Sequence, residues 1–400
     1  RPPVHRGRGR REQLGVGRVG LRPRVVGTIN ALCGGTSFPN PVRTPESLDL
    51  QRILADMRAA GVTHAVLEAS SHAIDLARIH CCWMDAAVFT NLSQDHLDYH
   101  GDMPAYWAAQ KRLFTEYLPA GPKAGRAVAV INADSPHGRE LAAQLAGRVV
   151  RVGTGDGCGV RGAKTTCRLD GIRGAIDVGG RGFEFRSPLV GRHNVENILC
   201  AAGAATALGV APEAIAAGIA SLECVPGRLE RVANRSGRFV YVDYSHTPDA
   251  LENALAALRA LSPGRIVCVF GCGGDRDRSK RPIMGAIAAR WSDLAVVTSD
   301  NPRSEEPEVI IGEILPGVRA QGLAEVAPEK LAAVATGKAF AAEPDRRRAI
   351  EAGIRAARPG DMVLIAGKGH ETYQVLGPRT IHFDDREEAA RVLERLEGGS

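Results

Sequence analysis

The amino-acid sequence predicts an α/β protein with parallel sheets, and three kinds of observation support this class. Short apolar runs that end in polar residues recur along the chain, and stretches with helical periodicity lie between them. The composition combines 44% hydrophobic residues with only 4% aromatic residues. Strands that alternate with helices favour a parallel sheet covered by helices on its faces. The 400 residues are enough for about two or three domains.

The first half of the chain carries three strand candidates and one clear helix. The strands are predicted in THAVLEASSH (63–72), DAAVFTNLSQDH (85–96) and AVAVINADS (127–135). TPESLDLQRILADMRAAG (44–61) predicts an amphipathic helix with Thr44 as its cap, Pro45 in its first turn and Gly61 at its end. The Gly-rich residues 151–190 indicate a small β excursion, and a helix is predicted in 191–209.

A Pro-Gly turn in ECVPGRLERV (223–232) predicts a boundary between two helix-strand systems. Four further strand-to-loop units follow it: RFVYVDYSHTPDAL (238–251), RIVCVFGCGGDRDRSKRP (265–282), DLAVVTSDNPRSEEP (293–307) and DMVLIAGKGHETYQ (361–374). We therefore divide the chain into an irregular basic segment (1–24), a first α/β domain (25–225) and a second α/β domain (226–400).

The net charge of +6 comes from one end of the chain and is no evidence for nucleic-acid binding. Residues 1–24 hold eight arginines and one glutamate, a balance of +7, so the other 376 residues sum to about −1. This segment has no regular periodicity; it is either a basic disordered arm or the start of a truncated chain, and we favour the second. No apolar run reaches about 18 residues, so we expect no membrane span. Nine cysteines without a CxxC pair indicate reduced thiols in a cytoplasmic protein.

Polar and charged residues cluster where the predicted strands end. Open parallel sheets bind ligands outside the carboxyl ends of their strands. Any one cluster could be an ordinary loop, but four together predict a binding site along one edge of the second sheet. The four clusters are Asp243 with His246, Asp275 with Arg276, Asp300 to Arg303, and Lys368 to Glu371.

Arg303 lies among three carboxylates in VVTSDNPRSEEP (296–307), and two interpretations stay open. It balances a neighbouring carboxylate on a solvated loop, as surface arginines commonly do. Alternatively, its planar guanidinium holds a ligand carboxylate through two parallel hydrogen bonds.

Other strand-end residues extend the second interpretation. Arg276 could hold another carboxylate, Glu371 could receive an ammonium group, and Asp300 and Asn301 could add polar contacts. A ligand with two carboxylates and an amine matches this set of side chains.

The first half offers a carboxylate and an imidazole at neighbouring strand ends. Glu68 and His96 are compatible with a divalent metal, although Mg²⁺ favours oxygen ligands. His96 and His100 have the i, i+4 spacing of a zinc pair, but for His100 we favour a cap or a solvated helix start. GCGG (271–274) lacks the dinucleotide-binding pattern and GKGH (367–370) lacks that of a phosphate loop, so a dinucleotide oxidoreductase is a weak alternative.

Ten motifs in a fixed order carry a resemblance to a known family. They are TPESLDLQ, EASSHAI, FTNLSQDHLDYHGDM, INAD, GRHNVENILCAA, VPGRLERV, VDYSHTPDAL, FGCGGDRDRSKRPIMG, SDNPRSEEP and GKGHETYQ. From about residue 25 to its last residue the chain resembles the Mur ligases. The resemblance implies a central ATPase-type parallel-sheet domain followed by a Rossmann-like C-terminal domain.

The resemblance also implies an activity. Family members with these motifs use ATP and Mg²⁺ to phosphorylate the D-glutamate carboxylate of UDP-N-acetylmuramoyl-L-alanyl-D-glutamate. The amine of meso-diaminopimelate then displaces phosphate and forms an amide, a step of peptidoglycan synthesis. The implied partners are these small molecules, with no nucleic acid and no membrane, and the implied protein is a cytoplasmic monomer.

The family motifs imply roles for individual residues. Glu68 and His96 would ligate the metal; Thr44, Pro45, Ser71 and Arg78 would contact the UDP-muramoyl-dipeptide; Asn197 and Arg228 would bind the nucleotide; and His246 would be catalytic. The DNPR stretch would accept diaminopimelate, with Arg303 on its distal carboxylate. The rest of that pocket would be Arg276, Asp300, Asn301, Pro302, Gly367 and Glu371.

Two departures from the family bear on catalysis. No Gly-Lys-Thr or Gly-Lys-Ser occurs in the sequence, so the phosphate loop expected ahead of GTIN (27–30) is missing, as is the family's uridine-binding domain. We therefore expect an N-terminally incomplete chain that does not catalyse ligation alone; the alternative is a binding protein that retains the diaminopimelate pocket. Gln110 stands where the family has a carbamylated lysine, and Lys111 beside it would point about 100° away on a helix.

Overall fold

The computed structural model describes residues 23–26, 31–33, 36–38, 44–92, 97–261 and 264–398, which form two compact units. The first unit contains the described residues up to Cys167, with Gly171–Pro188 and Arg192–Glu223. The second unit contains Arg168–Asp170, Leu189–Gly191 and the described residues from Cys224 onward. None of the helices in these ranges has the length and apolar character of a membrane span.

The first unit holds two sheets. The smaller has the strand order β3-β2-β1-β4, with β1 (Pro23–Val26), β2 (Ala31–Cys33), β3 (Thr36–Phe38) and β4 (His64–Leu67). The larger has the order β10-β9-β8-β7-β6-β5, with β5 (Ala86–Phe89), β6 (Val128–Asn132), β7 (Arg148–Gly153), β8 (Val160–Arg168), β9 (Gly171–Val178) and β10 (Arg181–Ser187). Strands β5 to β8 are parallel, whereas β9 and β10 pair antiparallel in the predicted β excursion.

Seven α-helices accompany these sheets in the described residues. They are α1 (Ser47–Ala59), α2 (Ser71–Asp75), α3 (Leu97–His100), α4 (Met103–Arg112), α5 (Pro136–Gln144), α6 (Arg192–Ala207) and α7 (Pro212–Ser221). A π-helical turn (Leu113–Tyr117) continues α4. The core of the unit is built where Leu50, Ile74, Phe114 and Leu141 pack with Ile131 of β6.

The predicted start of α1 is wrong by a few residues. The helix begins at Ser47 with Glu46 at its N-cap position, so Thr44 is not the cap and Pro45 lies outside the first turn. The Thr44 hydroxyl donates instead to the backbone carbonyl of Glu68, at 2.6 Å. The Thr44 hydroxyl, which the sequence pattern assigned to the N-terminal cap of α1, is therefore used in a tertiary contact.

The second unit is built on one seven-stranded sheet of order β11-β12-β17-β13-β14-β16-β15. Its strands are β11 (Glu230–Val232), β12 (Phe239–Asp243), β13 (Ile266–Cys272), β14 (Leu294–Ser299), β15 (Ala324–Glu325), β16 (Ala339–Ala342) and β17 (Met362–Ala366). Strands β12 to β17 pair parallel to one another, and β11 pairs antiparallel to β12. The predicted α/β class with parallel sheets is confirmed.

Helices cover both faces of this sheet, which explains why its central strands are largely apolar. One face packs against α8 (Pro248–Leu261), α9 (Lys280–Trp291) and α10 (Pro307–Arg319), and the other against α11 (Arg346–Ala356) and α12 (Asp385–Gly398). Every residue of β13 and β14 is buried. A hairpin of β18 (Tyr373–Leu376) and β19 (Arg379–His382) follows β17.

A buried ion pair ties α11 and α12 to the ends of two strands. Arg346 and Asp385 have no exposed side-chain surface, and the guanidinium donates to both carboxylate oxygens at 2.8 and 2.7 Å. The same guanidinium donates to the carbonyls of Ser299 (3.1 Å) and Ala366 (3.0 Å), the last residues of β14 and β17. One side chain therefore fixes where these two strands end.

Arg346→Met is expected to lower the free energy of unfolding by about 3–5 kcal/mol, because it leaves the Asp385 carboxylate buried without its partner. The exposed pair Arg319–Glu325 (2.9 Å) supplies a matched control, and Arg319→Met should cost less than about 1 kcal/mol. Urea denaturation of both variants measures the two losses. Equal losses would contradict the special role given to Arg346.

Candidate active site

The predicted ligand residues of the second unit gather at the carboxyl edge of its sheet. Asp300 and Asn301 directly follow β14, Gly367 directly follows β17, and Gly273 directly follows β13. Because these strands are parallel neighbours in the order β17-β13-β14, their carboxyl ends lie at the same edge. Hydrogen bonds and close contacts join the loops that carry these residues.

Arg303 is held by backbone atoms on both sides of its loop. Its Nη1 donates to the carbonyl of Gly274 at 2.7 Å and to that of Asn301 at 3.4 Å. The backbone of Arg303 also pairs with the β18 hairpin. Its N–H donates to the carbonyl of Val375 at 3.1 Å, and its carbonyl accepts from the N–H of Gly377 at 2.7 Å. The residue adopts φ = +55°, a left-handed conformation that is costly for a residue with a side chain. Such strain is typical of functional sites.

Arg303 forms no ion pair in the described part of the chain, and the two interpretations of it stay predictions. The pKa of Asp275 is lowered by hydrogen bonds from Ser304 and, as a smaller cause, by the charge of Arg303. The neighbouring Glu305 is bound instead by Arg281, whose fully buried guanidinium donates to its two oxygens at 2.8 and 2.9 Å. Glu305 also accepts from the backbone N–H of Asp275 at 2.7 Å. These donors, Arg281 first, lower the pKa of Glu305 to about 2. The Glu305 carboxylate is thus bound by Arg281 rather than by Arg303, and the guanidinium of Arg303 can donate to an external anion.

Asn301 and Glu371 meet in the same site. Asn301 Nδ2 donates to Glu371 Oε2 at 2.9 Å, and the Glu371 side chain is 16% exposed. Lys368, which we did not place among the ligand residues, donates to Asn301 Oδ1 (3.1 Å) and to Glu371 Oε2 (3.2 Å). The sequence signal is its position in the strand-end cluster Lys368 to Glu371, of which Glu371 alone is a predicted ligand residue.

Asp300 and Gly367 approach each other closely. A Cβ on Gly367 would lie 2.7 Å from Asp300 Oδ2, and the φ of Gly367 is +119°, so a side chain is excluded twice. The Asp300 side chain is buried. Pro302, also buried, keeps its carbonyl so near Gly274 that a Cβ there would stand 1.9 Å away. The two loops therefore pack backbone against backbone beside Arg303.

Arg276 lies on the exposed rim of this site. Its Nη1 donates to the carbonyl of Asp275 at 3.0 Å. A Cβ on Gly273 would lie 3.7 Å from Arg276 Cγ and 2.9 Å from Arg303 Nη1, so the two arginines flank the same glycine. The structure thus brings together all seven residues predicted for diaminopimelate.

Arg228, predicted to bind the nucleotide, and His246, predicted to be catalytic, share a neighbour in the second unit. The Arg228 guanidinium lies 5.4 Å from the ring centre of Tyr244, and the His246 ring lies 4.5 Å from the same ring. His246 Nδ1 is 2.8 Å from the Tyr244 carbonyl oxygen. The ring of His370 lies 4.9 Å from Tyr244, and burial lowers the pKa of His370. Asn197 belongs to the first unit, where it is exposed on α6 and donates to Asn194 Oδ1 at 3.2 Å.

The residues predicted for the UDP-muramoyl-dipeptide gather in the first unit. Arg78 Nη1 donates to the carbonyl of Thr44 at 3.3 Å, and its Nη2 pairs with Glu46 at 2.6 Å. Pro45 is buried beside Thr44. Ser71 is 1% exposed, and its Oγ lies 2.9 Å from His100 Nε2.

A groove of about 510 Å³ lies next to this cluster. Its lining includes Asp75, Tyr99, His100 and Arg112. Arg112 pairs with Asp75 at 3.1 Å, and the Tyr99 hydroxyl donates to the same carboxylate at 2.9 Å. His100 is the last residue of α3, so the prediction that it caps or solvates a helix start is wrong.

The predicted metal ligands are only partly described. Glu68 follows β4 and is exposed, whereas His96 lies outside the described residues. Within the described ranges, no group of three His, Cys, Asp or Glu side chains could hold a metal ion. The metal pair stays a prediction.

Gln110 and Lys111 point in different directions on α4. Gln110 Nε2 lies 3.5 Å from the hydroxyl of Tyr106, which stacks on His100 at 5.3 Å. Lys111 Nζ pairs with Glu140 at 3.5 Å. Lys111 is therefore directed toward α5 and away from the side chain of Gln110.

Comparisons with known proteins agree with this architecture. A family model described as the Mur ligase middle domain matches residues 20–205, and one described as the Mur ligase glutamate ligase domain matches residues 227–369. The UDP-N-acetylmuramoyl-L-alanyl-D-glutamate--2,6-diaminopimelate ligase of Geobacter metallireducens is 50% identical over 379 residues, which are 95% of this chain and 74% of the relative.

Solved structures agree as well. A structure of a UDP-N-acetylmuramoyl-L-alanyl-D-glutamate--2,6-diaminopimelate ligase superposes with a TM-score of 0.67 at 33% identity, covering 96% of this chain and 75% of that one. The MurF ligase of Thermotoga maritima in complex with ADP gives a TM-score of 0.64 at 16% identity, covering 98% and 78%; at this identity the likeness concerns the fold. The extent of these matches and the two family models together show that the chain belongs to the Mur ligase family.

Proposed function

We propose that this chain is an ATP-dependent ligase of peptidoglycan synthesis that joins meso-diaminopimelate to UDP-N-acetylmuramoyl-L-alanyl-D-glutamate. The observation that carries the proposal is the state of Arg303. It is oriented by two backbone carbonyls and forms no ion pair with the described residues, beside Glu371 at the carboxyl edge of the sheet. Relatives named for this reaction, at 50% identity, support the same substrates.

The site suits one end of diaminopimelate, where a carboxylate and an ammonium group share a carbon atom. Arg303 offers a planar donor for the carboxylate. Glu371 offers a partly exposed acceptor for the ammonium, and Asn301 links the two through its backbone carbonyl and its side-chain amide. Lysine lacks the distal carboxylate, so Arg303 would discriminate against it. Arg276 on the rim would meet the second carboxylate.

The remaining roles follow the family reaction. ATP supplies the phosphoryl group that activates the D-glutamate carboxylate, and Mg²⁺ offsets the phosphate charge. Glu68 and His96 would hold the metal, Arg228 and Asn197 would bind the nucleotide, and His246 would be catalytic. The UDP-muramoyl-dipeptide would contact Thr44, Pro45, Ser71 and Arg78. The amine of diaminopimelate then attacks the acyl phosphate, a C–N bond forms and phosphate leaves. We place this reaction in a monomer in the cytoplasm.

Isothermal titration of residues 1–400 with meso-diaminopimelate tests the pocket, and a ligation assay on a longer chain in which the phosphate loop is restored tests the reaction. Diaminopimelate binding together with formation of ADP and the tripeptide product, abolished by Glu68→Ala, supports the ligase. Diaminopimelate binding without ligation favours the alternative of a binding protein that retains the pocket. Absence of diaminopimelate binding would refute both.

Arg303→Ala should weaken diaminopimelate binding by about 2–5 kcal/mol, because a ligand carboxylate loses its charged hydrogen-bond partner. Binding of cadaverine, which has the two amines of diaminopimelate at the same spacing but no carboxylate, should not weaken. Titration calorimetry with both ligands measures the difference.

The matched control is Arg290→Ala, which removes another arginine of the same unit, paired with Glu252 at 3.5 Å. It should leave both affinities unchanged. If Arg303→Ala binds diaminopimelate as tightly as the Arg290→Ala variant does, the assignment of Arg303 fails.

Gln110→Lys should create a carbamylation site, because position 110 shares a face of α4 with Tyr106, whose ring stacks on His100, while Lys111 is paired with Glu140. With ¹³C-bicarbonate, NMR of the variant should show a carbamate signal that the unmodified chain lacks. In a longer chain in which the phosphate loop is restored, the Mg²⁺-dependent ligation rate should rise with it. Lys111→Met in the same variant should leave the signal intact; loss of the signal there would mean that Lys111 carries the carbamate.

A further inference from the structure

Lys368 is a fully buried charge that the proposed reaction does not use. It is the one lysine with no exposed side-chain surface in the described ranges. A buried ammonium group is costly unless it is paired and hydrogen-bonded. Its Nζ reaches Asn301 Oδ1 (3.1 Å) and Glu371 Oε2 (3.2 Å) and lies 5.4 Å from the ring centre of Tyr373. Two of these partners, Asn301 and Glu371, are among the residues proposed to bind the amino-acid end of the ligand.

Lys368 fixes the orientation of the Asn301 side chain. An ammonium group only donates hydrogen bonds, so it requires the amide oxygen of Asn301 to face it. The backbone N–H of Val375 donates to the same oxygen at 3.0 Å. The amide nitrogen must then face Glu371, where it donates to Oε2 at 2.9 Å. Glu371 Oε2 thus accepts from Asn301, in the loop after β14, and from Lys368, in the loop after β17.

Lys368 also sets the formal charge of the pocket. Away from the exposed rim, where Asp275 and Arg276 carry opposite charges, Asp300 and Glu371 contribute −2, whereas Arg303 and Lys368 contribute +2, and the Arg346–Asp385 pair next to them is neutral. The sum is zero. A zwitterionic amino-acid head carries one ammonium and one carboxylate and has no net charge. It matches a pocket that is neutral overall but contains both positive and negative side chains. Without Lys368 the sum becomes −1, which favours a bare ammonium group over the zwitterion.

We propose that Lys368 is a positioning residue that determines specificity: it holds Asn301 and Glu371 in place and neutralises the pocket, so that the site prefers a zwitterionic amino-acid head to a bare amine. The inference deepens the proposed function and rests on it, because it concerns the same ligand site. Lys368 acts through Asn301 and Glu371 rather than on the reacting atoms.

The test compares three ligands of matched carbon spacing by titration calorimetry on residues 1–400. meso-Diaminopimelate has two zwitterionic heads, cadaverine has only the amines, and pimelate has only the carboxylates. Lys368→Met should lower the ratio of diaminopimelate affinity to cadaverine affinity at least tenfold and should weaken pimelate binding. Lys368→Arg keeps the charge and should keep this ratio within about threefold of the original chain.

A second variant pair separates charge from packing. Lys368→Met combined with Glu371→Gln returns the formal charge to zero, so its affinity ratio should recover toward the original value. Lys338→Met is the control, since it removes a lysine of the same unit whose ammonium donates to the backbone carbonyls of Ala289 and Arg290. It should change neither affinity.

Each outcome decides the inference. Equal weakening of all three ligands in Lys368→Met, or loss of the ratio in Lys368→Arg as well, means a purely structural role and overturns it. Failure of both single variants to fold, judged by circular dichroism, overturns it in the same way. If the unaltered chain binds none of the three ligands, the proposed function itself fails, which is a different result.

Discussion

The buried pair of Arg346 and Asp385 is the interaction on which the arrangement of the second unit depends. A charge with no exposed surface is tolerated only when its hydrogen-bonding groups are satisfied, and this guanidinium meets that condition by binding Asp385 and the carbonyls of Ser299 and Ala366. Those carbonyls belong to the last residues of β14 and β17. The pair therefore sets the starting points of the two loops that carry Asn301 and Lys368.

Ion pairing at the edge of the sheet separates structural cations from available ones. Arg281 is fully buried and binds Glu305, which lowers the pKa of that carboxyl group to about 2 and keeps it bound to its partner near neutrality. Arg303 lies two residues from Glu305 in the chain, yet its Nη1 is bound only to backbone carbonyls in the described structure. One arginine thus satisfies the loop carboxylate, and the other can bind a ligand.

The same loops hold backbone conformations that residues with side chains rarely adopt. Asp275 has φ = +52° and Arg303 has φ = +55°. Each such residue costs of order 1–3 kcal/mol and persists only when its surroundings fix it. Here Asp275 accepts from Ser304 at 2.6 and 3.1 Å, and the backbone of Arg303 is bound to the β18 hairpin. The cost falls beside the residues that we propose bind diaminopimelate.

The sequence by itself determined the positions of the central strands, because a strand buried on both faces is largely apolar. It also placed polar residues at the edge of the sheet where parallel strands end. The sequence did not indicate β16 or the β18 hairpin, because their short runs carry little periodicity. The start of α1 was misplaced because the hydroxyl of Thr44 binds the carbonyl of Glu68 instead of the helix end. Only the tertiary structure decided that Arg281 binds Glu305, 24 residues away, and that Lys368 binds Asn301, 67 residues away. Such partners are chosen by the distance between folded loops, which residue order along the chain does not contain.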